Sequence, residues 1–229
     1  MAKTNKKERQ VSMCGIIGAA SSRSVGEILI QGLQLMEYRG YDSAGIALNQ
    51  EQQVLRLRAL GKVSKLEDLM IENKPKATSG IAHTRWATHG APSEENAHPH
   101  GSHDQVYIVH NGIIENHDEI RTQLKNEGYE INSQTDSELI AHLIHLYKKE
   151  DDNTLTALIK ATKKLKGAYS IAAIDSNQKD KVFAARQKSP LLIGKGIEEN
   201  FVASDPLAII NITQSFYLLE DGDFAEITK

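Results

Sequence analysis

Apolar residues recur at helical spacing in several stretches of this chain and gather into short unbroken runs elsewhere. Between positions 24 and 38, Val25, Ile28, Leu29, Leu33 and Met36 fall on one face of a period of about 3.6 residues, which predicts an amphipathic helix. Further helices are predicted over 116–127, 139–147 and 155–165. Ser24 with Glu27, Ser64 with Glu67 and Thr135 with Glu138 carry the capping-box pattern, each opening an apolar-periodic segment. Gly128 follows the run 116–127 and suits a helix C-cap. Short strands are predicted at 16–20, 44–48, 54–60, 80–83, 106–110, 169–174, 182–186, 191–193 and 201–203. A hairpin is expected to join 216–219 to 224–227 around Asp221-Gly222. The order is strands, helices, then strands again, without regular βαβ alternation. That order predicts an α+β domain with helices packed on antiparallel sheets.

Composition narrows the class. A chain of 229 residues with 40% hydrophobic and 25% charged residues reads as a globular protein able to bury a sizeable core. Its net charge of −3 gives no reason to expect a nucleic-acid partner. No apolar run approaches the length of a membrane span. One cysteine permits no internal disulfide and fits a reducing, cytoplasmic setting. Residues 1–13 are polar and basic, with Lys3, Lys6, Lys7 and Arg9, and lack the apolar stretch of a signal peptide. They are expected to form a disordered leader (a tag, a misplaced start or a propeptide) ahead of one domain, 14–229.

The single cysteine, Cys14, follows Met13 and runs into Gly15-Ile16-Ile17-Gly18. If residues up to Met13 are removed, Cys14 carries a thiol and a free α-amine together. The amine titrates near pH 7.7–8.0, at roughly the point where a general base works best at neutral pH. A terminal amine activating its own side chain is a known nucleophile arrangement. The plainer reading of Cys14 is a small buried hydrophobe.

Four polar, glycine-containing clusters favour the chemical reading. They are Tyr38-Arg39-Gly40-Tyr41-Asp42-Ser43-Ala44-Gly45, His83-Thr84-Arg85-Trp86-Ala87-Thr88-His89-Gly90, His110-Asn111-Gly112 and Thr135-Asp136-Ser137-Glu138. Those around Arg85 and Asn111 are expected where a strand meets a loop, a usual place for functional side chains. Taken singly, Arg85 reads equally as an ion-pair partner, Asp136 as a helix-start residue and Asn111-Gly112 as a hairpin turn. The histidines His98, His100, His103, His142 and His145 lack a nearby cysteine or an HExxH pattern, so they are read as loop-stabilising or solvent-facing and no metal is expected.

Together and in order, the CGIIGA start, EYRGYDSAGIA, HTRWATHG, HNGIIEN and TDSE resemble the glutaminase domain of the glutamine–fructose-6-phosphate aminotransferase family, from Cys14 to Lys229. The resemblance implies an N-terminal-nucleophile hydrolase fold, with two antiparallel sheets sandwiched between helical layers. It implies that Cys14 attacks the side-chain amide of glutamine, and that Asn111 (side chain) and Gly112 (backbone N–H) stabilise the oxyanion. Arg85 is assigned to the α-carboxylate, which a guanidinium pairs bidentately, and Asp136 to the α-ammonium. Trp86, Thr88 and His89 are assigned to the same pocket, and Arg39 to a supporting place beside the cysteine, orienting the amine or Asn111. No cofactor is implied. The partner implied is a pair of sugar-isomerase domains absent from this chain, in a full-length enzyme that forms a homodimer. Two rival readings are the glutaminase domain of a phosphoribosyl amidotransferase and a non-catalytic module that binds glutamine.

Overall fold

Strand β1 (Gly15–Ser21) is buried at every position, and its alternate side chains enter two different cores. Ile17 and Ala19 pack toward helices, while Ile16 and Ala20 pack toward a second sheet. Alternation along a strand sends successive residues to opposite faces. A strand covered on both faces therefore reads as an unbroken apolar run.

The computed structural model describes residues 14–51, 53–86 and 91–229. After β1 come α1 (Gly26–Met36), β2 (Ser43–Asn49), β3 (Val54–Leu60), α2 (Val63–Asn73) and β4 (Ser79–Arg85). Next follow β5 (His100–Ser102), β6 (Val106–Ile114), α3 (His117–Asn126), α4 (Ser137–Asp151) and α5 (Thr154–Thr162). The last part holds β7 (Gly167–Asp175), β8 (Val182–Gln187), β9 (Leu192–Lys195), β10 (Glu199–Ala203), β11 (Phe216–Leu218) and β12 (Phe224–Ile227).

Seven strands form one sheet in the order β11-β9-β10-β1-β4-β2-β3, and five form another in the order β12-β8-β7-β6-β5. The ladders are antiparallel. Helices α1 and α2 cover the outer face of the larger sheet, with Leu29, Leu33 and Leu66 against Ile17, Ile46 and Phe201. Helices α3, α4 and α5 cover the smaller one, with Leu124, Leu143 and Leu158 against Ile108, Ile171 and Phe183. Ile16, Ile81, Val109, Ile174 and Val202 fill the space between the sheets. Each fully buried side chain of this size contributes about 1.5–3 kcal/mol.

Helix ends depart from the expected caps. Helix α1 starts without a side-chain cap, and Val25 N–H donates instead to the Ala77 carbonyl at 2.9 Å. Helix α2 begins one residue before Ser64, because the Glu37 carboxylate takes the Val63 N–H at 2.8 Å. At α4, Thr135 Oγ1 accepts from Glu138 N at 3.4 Å, while the Glu138 carboxylate reaches back to the N–H groups of Asn132 (2.9 Å) and Ser133 (2.6 Å). Gly128 closes α3 with φ +83°, Gly128 N–H donating to Lys125 O and Tyr129 N–H to Leu124 O, a Schellman pattern.

The hairpin expected at 216–227 does not form. Strand β11 pairs with β9 in the larger sheet and β12 with β8 in the smaller one. Asp221-Gly222 does turn the chain, with Gly222 at φ +88°. Its polar groups are taken by the end of β8 and the residue after it, however: Gly222 N–H donates to Arg186 O at 2.9 Å and Asp221 Oδ1 accepts from Lys188 N at 2.8 Å. The turn thereby carries the chain from one sheet to the other.

Candidate active site

The polar residues of interest continue the apolar stripe between the two sheets. On β4, Ile81 faces the other sheet, so His83 and Arg85 share its face. On β6, Tyr107 and Val109 do, so Asn111 shares theirs. Cys14 lies two residues before Ile16 and extends the same row. Where the apolar filling ends, Cys14, Arg85 and Asn111 border a cleft of about 530 Å³ that also meets Trp86, Gly112, Asp136 and Ser137.

The start of β1 is pinned at each successive backbone group. The Cys14 carbonyl accepts from Asn111 Nδ2 at 2.9 Å, Gly15 N–H donates to Thr84 Oγ1 at 3.1 Å, and Ile16 N–H donates to Ser204 Oγ at 2.9 Å. Cys14 Sγ accepts from Trp86 N–H at 3.1 Å. Burial pushes the thiol pKa up; the Trp86 N–H opposes that rise and the nearby Asp42 carboxylate adds to it. The group is therefore a thiol at neutral pH and requires a base to become an attacking thiolate.

Asn111 and Gly112 lie inside β6, not in a turn or at the edge of a loop. Gly112 takes φ +137°, and a Cβ there would stand 2.0 Å from the Ala168 carbonyl oxygen. The pairing of β6 with β7 therefore requires glycine at this position, whatever approaches the strand from the cleft.

Arg85 ends β4 and is only 4% exposed. Its guanidinium lies 3.6 Å from Asp42 Oδ1, and Asp42 N–H donates to the Arg85 carbonyl at 2.7 Å. Trp86 stands at the rim, 44% exposed. Gly40, at φ +85°, leaves room for its indole; a Cβ would meet the ring at 2.5 Å. Asp136 sits just before α4, and its Oδ2 accepts from Ile114 N–H at 2.7 Å. Arg39 lies away from the cleft lining: its guanidinium pairs with Asp205 at 2.6 Å and its Nε donates to Tyr38 Oη at 3.3 Å. Thr88 and His89 lie outside the described residues.

Several histidines here had been given no role at the site from the sequence, and His98, read as loop-stabilising or solvent-facing, is buried. His83 Nε2 lies 2.9 Å from Asn111 Oδ1, His110 Nδ1 lies 2.8 Å from Ser137 Oγ, and His98 borders the cleft with its ring 4.1 Å from that of His83. Burial lowers the pKa of all three, His83 to about 3, so they are neutral imidazoles. His100 is buried beside His98, and His103 stacks on His145 at 4.2 Å. The strand period was the available signal: His83 falls two residues from Arg85.

A thiol beside a carboxamide donor, with a guanidinium and a carboxylate lining the same cleft, suits attack on an amide carried by an amino acid. The profile of the glutamine amidotransferase domain family matches residues 83–211, and the chain belongs to that family. It is 54% identical over 218 residues to the isomerizing glutamine–fructose-6-phosphate aminotransferase of Haemophilus influenzae, and 54% identical over the same length to that of Pseudomonas putida. In both cases the match spans 95% of this chain and 36% of the relative. Among solved structures, the glutamine phosphoribosylpyrophosphate amidotransferase of B. subtilis, complexed with ADP and GMP, superposes with a TM-score of 0.80 at 24% identity, over 94% of this chain and 47% of that one. A structure described as the allosteric regulatory enzyme of purine biosynthesis gives 0.81 at 25% identity, with the same coverage. The four-layer arrangement of helices around two antiparallel sheets is thus the N-terminal-nucleophile amidotransferase fold.

Proposed function

We propose that this domain hydrolyses the side-chain amide of glutamine at Cys14 and supplies the ammonia for glucosamine 6-phosphate synthesis from fructose 6-phosphate. The observation that carries the reading is the placement of the chain's one cysteine in the cleft lining, its carbonyl held by Asn111 Nδ2.

Cys14 Sγ attacks the carboxamide carbon of glutamine, and the carbonyl π electrons move onto oxygen. One hydrogen of Asn111 Nδ2 is engaged by the Cys14 carbonyl, and the second is directed to the oxyanion together with the Gly112 N–H. The proton lost from sulfur is passed to the departing nitrogen, the C–N bond breaks and ammonia leaves. Water then attacks the thioester carbon, releasing glutamate and restoring the thiol. The base is the α-amine of Cys14, exposed when residues 1–13 are removed as a leader; its pKa of about 7.7–8.0 suits the buried thiol. Arg85 takes the α-carboxylate and Asp136 the α-ammonium, with Trp86, Thr88 and His89 bounding the substrate. Arg39, clamped by Asp205, braces the loop carrying Gly40 beneath Trp86.

The chain spans about a third of the length of its curated relatives. The sugar chemistry belongs on this reading to isomerase domains of a larger, homodimeric cytoplasmic enzyme. Identity of 54% to the sugar-phosphate enzymes, against 24% to the phosphoribosyl enzyme, favours this over the phosphoribosyl alternative. The test is glutaminase turnover by the chain with Cys14 as its first residue. Glutamate and ammonia are expected in equal amounts, and Cys14→Ala is expected to abolish turnover with little change in Tm. Undiminished turnover in that variant would remove Cys14 from the chemistry.

A further inference from the structure

His83 is 1% exposed on β4 and makes its contact across the space between the sheets. Three assignments that are ambiguous one at a time fix one another here. The Cys14 carbonyl only accepts, so the end of the Asn111 carboxamide 2.9 Å from it is the nitrogen. The other end is then Oδ1, which also only accepts. It lies 2.9 Å from His83 Nε2, so that ring nitrogen carries the proton. A flipped carboxamide would set oxygen against the Cys14 carbonyl oxygen and turn an acceptor toward the site where negative charge develops.

We propose that His83 is a positioning residue whose Nε2–H fixes the polarity of the Asn111 carboxamide, so that an N–H and not an oxygen meets the oxyanion. This rests on the reading of Cys14 as the glutaminase nucleophile. Burial holds the imidazole neutral, with a pKa of about 3, so the arrangement persists across the physiological range. The ring of His98, 4.1 Å away, backs His83 on the side of the cleft.

The test is a double-mutant cycle on glutamine turnover with His83→Leu, His83→Gln and Asn111→Ala. His83→Leu keeps apolar bulk and removes the donor. Its kcat is expected to fall roughly tenfold or more, approaching the roughly 10²–10³-fold loss typical of an oxyanion donor, with KM within about twofold. His83→Gln offers an amide N–H and is expected to recover most of that loss. On the Asn111→Ala background, His83→Leu is expected to cost less than about twofold, because the group it positions is gone. Equal losses on both backgrounds, or an unchanged kcat in folded His83→Leu, would overturn the proposal. The unsubstituted chain provides a readout independent of turnover: long-range ¹H–¹⁵N spectra are expected to report the Nε2–H tautomer of His83, and the Nδ1–H tautomer would refute the assignment. Absence of glutamine turnover in the unsubstituted chain with Cys14 as its first residue would sink the glutaminase reading itself, while the tautomer would still test the geometry.

Discussion

Two sets of side chains meet in the cleft, and they are held differently. Around Cys14, polar groups of its own segment are held by side chains from β4, β6 and the segment after β10: Thr84, Asn111 and Ser204. One carboxamide hydrogen is left over for a ligand. The groups proposed for substrate recognition are engaged by the fold in another way. Arg85 is paired with Asp42, and Asp136 accepts the Ile114 N–H. On the proposed reading the set around Cys14 is in place before substrate arrives, whereas recognition requires Arg85 and Asp136 to share partners they already hold. Preorganisation of the charge-stabilising groups matters most to the chemical step, and sharing matters most to binding. Substitutions in the two sets should therefore separate into kcat and KM effects.

The largest effect is expected from Asn111→Ala, which removes the side-chain donor. Steady-state kinetics should give a kcat lower by about 10²–10³ and a KM within about threefold. A KM effect equal to the kcat effect would erase the distinction between the two sets. Arg85→Lys comes next. A point charge replaces a planar fork, and the KM for glutamine should rise roughly tenfold or more while kcat stays within a few-fold. An unchanged KM would take Arg85 out of substrate recognition.

The same division bears on what the sequence conveyed. The two-sheet core and most elements followed from apolar runs and turn residues, because local pattern and burial agree there. What failed was non-local. Asp221-Gly222 reads as a hairpin turn, yet its polar groups bond to Arg186 at the end of β8 and to Lys188 just after it, and β12 joins the other sheet. Ser64 reads as part of a cap, but Glu37, twenty-six positions from Val63, supplies the acceptor. Strand β5, three residues long, has too few positions to show a period. At the site, the residues that matter individually were legible as clusters. The residues that hold them were not, since His83 meets Asn111 only after two separate sheets are stacked. Asn111-Gly112 was misread locally for a related reason: a turn dipeptide sits in mid-strand because Gly112 must clear the Ala168 carbonyl.

The smallest effect is expected on the fold in mild acid, read by melting and not by turnover, because protonation of the Cys14 α-amine would itself slow the reaction there. Burial holds His83 and His100 at pKa values of about 3 and His145 at about 4, against an ordinary 6.5. The unfolded chain binds protons at these groups below about pH 6.5 and the folded one does not, so stability is full above that point and falls as pH drops toward 3–4. Glu138 adds a second window. Burial alone would raise its pKa, but hydrogen bonds from His142, Asn132 and Ser133 bring it to about 2, so its contribution is present above about 4.5 and is lost as pH falls toward 2. Thermal melts should show Tm steady from pH 8 to 7 and then falling, by roughly 5 °C or more by pH 4. A Tm that rises on acidification would contradict the neutral, buried assignment of these histidines.

Covalent trapping at Cys14 tests the central claim most directly. The chain with Cys14 as its first residue, incubated with a diazoketone analogue of glutamine and digested for mass spectrometry, should carry one adduct per molecule, on Cys14 sulfur, with turnover lost in proportion and with glutamine protecting against both. Full loss of turnover with the adduct on another residue, or undiminished turnover with Cys14 fully modified, would contradict it.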